Sequence, residues 1–91
     1  MGVLAFFKAV KRVVTGEVVQ QIDITANGGI TTMSLRLKRV KGSGEHYVVL
    51  AGLSEGNYQY FAFTRDEFDY FSRAVRTIDD SLTHTHPKYA I

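Results

Sequence analysis

NYQYFAFTRDEFDYFSRAVRTI, residues Asn57 to Ile78, changes its periodicity part-way along. Up to Phe63 the residues alternate as in a strand; from Arg65 onward Phe68, Phe71, Val75 and Ile78 recur at steps of three and four, as on one face of a helix. Between them, Thr64-Arg65-Asp66-Glu67 has the form of a capping box. In such a box the Thr64 hydroxyl accepts a hydrogen bond from the Glu67 amide and the Glu67 carboxylate accepts one from the Thr64 amide. Phe63 and Phe68 stand at the two positions of a hydrophobic staple, and Asp66, Glu67 and Asp69 place negative charge near the positive end of the helix dipole. Leu82 continues the stripe, so the spacing predicts a helix over 65–82, followed by a tail over 83–91.

Upstream of this junction the chain reads as a meander. EVVQQIDITA is rich in β-branched residues and stops at Asn27-Gly28-Gly29, a turn signal. ITTMSLRLKRVK stops at Gly42-Ser43-Gly44, and EHYVVLAGL stops near Ser54-Glu55-Gly56-Asn57. Strands are therefore expected at about 17–26, 30–41, 45–53 and 57–63. Before them, Val3, Phe6, Phe7, Val10, Val13 and Val14 make one apolar stripe, with Lys8, Lys11 and Arg12 elsewhere, which predicts an N-terminal helix over 2–14 ended by Gly16. The expected fold is α+β: an N-terminal helix, a four-stranded antiparallel meander and a C-terminal helix packed on one sheet face, αββββα.

The staple fixes which way each strand residue points. If Phe63 faces the C-terminal helix, so does Phe61, while Tyr58, Tyr60 and Ala62 face away. By the same alternation Met33, Leu35, Leu37, Val48, Leu50, Ile22 and Ile24 face the helix. The far face collects Val19, Gln21, Asp23, Thr25, Thr32, Ser34, Arg36, Lys38, Tyr47, Val49, Ala51, Tyr58 and Tyr60. Tyr70 stands on the flank of the helix stripe and belongs to neither set.

Ninety-one residues suit a single domain of 1–91 and exclude a second catalytic one. The composition, 45% hydrophobic and 22% charged with one Pro, is that of an ordered domain. With no Cys, disulfides, thiolate zinc sites and Cys nucleophiles are excluded. The apolar run Val3 to Phe7 is too short for a signal-peptide core and no later run reaches membrane-span length, so an intracellular location is expected. Cytoplasm, nucleus and mitochondrion stay open, since the basic, acid-free start also fits a presequence. The net charge of +2 is divided unevenly, +5 over residues 1–41 and −3 over 42–91, which suggests one basic surface.

The far face thus combines Tyr47, Tyr58 and Tyr60 with Arg36 and Lys38, and the hairpin adds Arg39 and Lys41. Flat rings beside cations are what single-stranded DNA or RNA binding uses, bases stacking on rings and Lys or Arg following phosphates. The same face could instead be covered by the N-terminal helix, or by a protein partner or a second copy in a homodimer. A third reading is association with a membrane surface through the cationic amphipathic segment 3–14. The Gly-rich hairpin is not a P-loop, because its Gly and Lys spacing is wrong.

The hairpin Gly42 to Gly44, the strand YQYFAFT at 58–64 and TRDEFDYF at 64–71 together resemble the ββββα unit of the PUR family of single-stranded nucleic-acid-binding proteins and the related Whirly proteins. The resemblance covers about residues 17–82 and is one of architecture. It implies nucleic acid bound on the open sheet face and assembly of two units by repeat or dimerisation. The additional N-terminal helix and the lack of a Whirly-type Lys-Gly-Lys motif depart from it.

No catalytic set emerges. His84 and His86 could share a metal only with a third ligand, and Asp79 and Asp80, adjacent on a helix, point about 100° apart and cannot form a dyad. No enzymatic activity, metal or cofactor is expected.

Overall fold

The computed structural model describes residues 15–85; the helix expected over 2–14 and the end of the tail lie outside them. Four strands, β1 (Glu17–Ala26), β2 (Thr31–Arg39), β3 (His46–Ser54) and β4 (Asn57–Phe63), form one antiparallel sheet in the order β1-β2-β3-β4. One residue, Thr64, joins β4 to the helix α1 (Arg65–Thr85). The described fold is α+β, an antiparallel meander followed by a helix.

Each reversal has a local cause. β3 and β4 are joined by the two-residue turn Glu55-Gly56, and both residues have positive φ, 51° and 78°, as a right-twisted hairpin of this length requires. Between β2 and β3 the Val40 amide donates to the Glu45 carbonyl at 2.8 Å, and the Ser43 hydroxyl accepts from the Glu45 amide at 3.2 Å. At the start of α1 the capping box is complete in both directions. The Thr64 amide donates to Glu67 Oε1 at 2.9 Å and the Glu67 amide to Thr64 Oγ1 at 3.2 Å.

The register places Ile22, Leu35, Leu50 and Phe61 in one row across the helix side, and Gln20, Leu37, Val48 and Phe63 in the next. Alternation from Phe63 therefore holds through all four strands, with one exception. The β1–β2 register slips between Val18 and Gln20, leaving Val19 unpaired and Val18 opposite Lys38. Val19 thus has no partner in the β1–β2 ladder, and the extra residue of a bulge brings Val18 to the far face opposite Lys38.

The staple forms as a ring cluster. Phe63 lies 6.1 Å from Phe68 and 5.2 Å from Phe71. Beyond that cluster the expected packing of α1 on the sheet is not found. No residue of α1 is buried, and Val75, Ile78 and Leu82 are 52%, 68% and 52% exposed. The closest approach of α1 to the sheet is at β3 and β4, the strands next to its starting point, with Phe68 reaching the cleft beside Gln20 and Ile22 of β1. The physical reason is the one-residue connection: cap and staple fix the direction in which a helix about 30 Å long leaves the sheet.

The most deeply buried side chains are on the far face instead. Val49 is fully buried, and Ala51, Tyr47, Ser34 and Lys38 are nearly so.

Candidate nucleic-acid interface

Tyr47, Lys38 and Arg36 occupy the hairpin half of the far face, and two of them are interior groups. Tyr47 is 4% exposed, and its hydroxyl donates to the Thr15 carbonyl at 2.9 Å. Gly16, with φ of +82°, lets the chain cross this ring: a Cβ at that position would collide with the Tyr47 hydroxyl. Lys38 pairs with Tyr47 across the sheet and holds its ammonium 5.8 Å from the ring centroid. Burial pushes the Lys38 pKa below the usual lysine range, and Arg36 adds to the shift. Arg36 is half-buried, its Nε donating to Ser34 Oγ at 3.2 Å.

Arg39 points to the helix side, where it pairs with Glu17 at 2.6 Å. The hydrogen bond from Arg39, and then its charge, holds the Glu17 carboxyl below the usual carboxylate range. Lys41 is exposed in the 40–45 hairpin. Tyr58 pairs with Leu53, six residues along β3 from Tyr47, so roughly 20 Å of strand separates the two ends of the expected site. The seven residues Arg36, Lys38, Arg39, Lys41, Tyr47, Tyr58 and Tyr60 therefore do not make one open patch. Tyr47 and Lys38 are enclosed, and the Tyr47 hydroxyl is taken up by the Thr15 carbonyl. Arg39 is on the wrong face, since it is one residue out of phase with Lys38.

Tyr58 and Tyr60 remain open. They are 56% and 40% exposed on β4, an edge strand, with rings parallel to within 10° and centroids 5.6 Å apart. Arg36 lies on the same face, two strands away and level with Ala62, so roughly 10 Å of sheet separates it from the β4 tyrosine ladder.

Of the remaining candidates, His86 lies outside the described residues. His46 is exposed at the start of β3, and His84 Nδ1 is 2.9 Å from the Asp80 carbonyl within α1. Asp79 and Asp80 lie inside α1, which runs three residues past the expected end. Among the described residues no group of three or more His, Asp or Glu could hold a metal ion. No helix among them is long and apolar enough to cross a membrane, and segment 3–14, the basis of the membrane-surface reading, lies outside them.

Sequence reasoning missed the apolar surface on the helix side. Ile22, Ile24 and Phe61 are each more than half exposed there, beside a cleft of about 220 Å³ lined by Gln20, Ile22, Leu35, Leu37, Val48 and Phe68. Compared with protein-family models, curated proteins and solved structures, the chain gives no significant match in any of the three.

Proposed function

We propose that the chain is a small single-stranded nucleic-acid-binding module whose contact surface is the outer part of the far face, centred on Tyr58 and Tyr60. The observation that carries the reading is this exposed, parallel pair of rings on an edge strand. A ring held face-on by a strand neighbour offers its other side to a base, and such stacking contributes ~1–3 kcal/mol per base without regard to sequence. Arg36 is the cation of the same face. Lys38, enclosed and shifted towards neutrality, is not assigned a phosphate.

One or two phosphate contacts give a shallow salt dependence, a log–log slope of about −0.7 to −1.4. Fluorescence anisotropy with labelled DNA and RNA oligomers, at two salt concentrations, tests the reading. Tyr58→Ala and Tyr60→Ala are each expected to weaken binding about 5- to 100-fold. Arg36→Ala is expected to flatten the slope by about 0.7, and Lys41→Ala to change little. Undiminished binding by the double tyrosine variant would contradict the proposal.

A protein-interaction reading is favoured by a separate observation on the other face. There α1 and the sheet leave Ile22, Ile24, Phe61, Val75, Ile78 and Leu82 in water.

A further inference from the structure

The helix side of this chain carries two apolar surfaces that its own fold leaves largely exposed. One is the stripe Phe71, Val75, Ile78 and Leu82 on a helix about 30 Å long. The other is the sheet face with Ile22, Ile24 and Phe61 around the 220 Å³ cleft. Strands of seven to ten residues make that face about 24–34 Å long, the length of the helix. Gly52 sits on it between Met33 and Gln59 with open space above, so a helix axis could approach the backbone closely there. The chain enters β1 at Thr15 and Gly16 against Tyr47 of the opposite face, and on this one Phe68 of the first turn of α1 reaches the cleft while Val75, Ile78 and Leu82 stay exposed.

We infer that the occupant is a second copy of the chain, each α1 lying across the helix side of the other sheet in a two-fold dimer. A two-fold interface requires both complementary surfaces on one protomer, and this protomer has both. The area is also sufficient. At roughly 200 Å² for a fully exposed large apolar side chain, the seven residues would remove roughly 700–800 Å² per copy from water, about the 800 Å² per partner of a stable interface. Burial of the stripe supplies what α1 lacks in its own fold, since a helix with no buried residue is only marginally stable in water. The inference concerns the face opposite the tyrosines and does not depend on nucleic-acid binding.

Light scattering of the purified chain is expected to give twice the 10.2 kDa chain mass. Ile78→Asp should reduce it to one chain mass, and Tyr58→Ala with Tyr60→Ala should leave it at two. Because the chain has no Cys, Ile22→Cys and Ile78→Cys can be mixed and treated with a short bismaleimide. Cross-links joining the two variants are expected to exceed the links of either variant to itself. A single chain mass for the unaltered protein, loss of the dimer in the tyrosine variant, or a predominance of Ile78→Cys self-links would each overturn the inference.

Discussion

A side chain at position 16 would meet the Tyr47 hydroxyl, and the backbone there has a φ of +82° that L-residues rarely adopt. Gly16→Ala is therefore expected to destabilise the chain by roughly 1–3 kcal/mol in urea unfolding. Tyr47→Phe loses the bond to Thr15, roughly 0.5–1.5 kcal/mol, and vacates the atom that the added methyl group would strike. The double variant should then be less destabilised than the two single losses combined, and simple additivity would refute the contact. In the sequence Gly16 reads only as the stop of a preceding helix, because its contact with a ring 31 positions away is set by the sheet. Two titrations carry definite signs. Glu17, lowered by Arg39, contributes stability above its unfolded pKa that is lost as pH falls through its folded value. Arg39→Ala should return its NMR titration to the ordinary carboxylate range. Lys38 in the folded chain binds fewer protons than in the unfolded chain between its lowered pKa and the usual one. Stability should accordingly rise with pH across that interval, and Lys38→Met should abolish this dependence.

At the scale of elements the junction of β4 and α1 was legible because cap and staple are local chemistry. Thr64→Ala is expected to cost about 1 kcal/mol, measured by thermal unfolding. The strands were legible from their period and their turns. Glu55 holds a positive φ that Asn tolerates better, so Glu55→Asn should stabilise the hairpin by a few tenths of a kcal/mol. The bulge at Val19 was not legible, since consecutive valines look alike whichever is unpaired. α1 includes the residues up to Thr85. The apolar stripe ends at Leu82 and points three residues short.

For the whole molecule, alternation sorted side chains between the two faces but could not say which face is enclosed. Tyr47 and Tyr60 share a face and a residue type, yet one is 4% exposed, its hydroxyl on the Thr15 carbonyl, and the other 40%. Similarly, the stripe of α1 has the same pattern whether its own sheet or a second chain covers it. The open part of the far face is proposed to take single-stranded nucleic acid at Tyr58 and Tyr60. Side-chain NMR of the tyrosine rings during titration with a short unstructured oligonucleotide tests it most directly. Upfield ring-current shifts are expected at Tyr58 and Tyr60, with Tyr47 and Tyr70 unmoved. Shifts centred on Tyr70, or none at Tyr58 and Tyr60 at saturation, would contradict it.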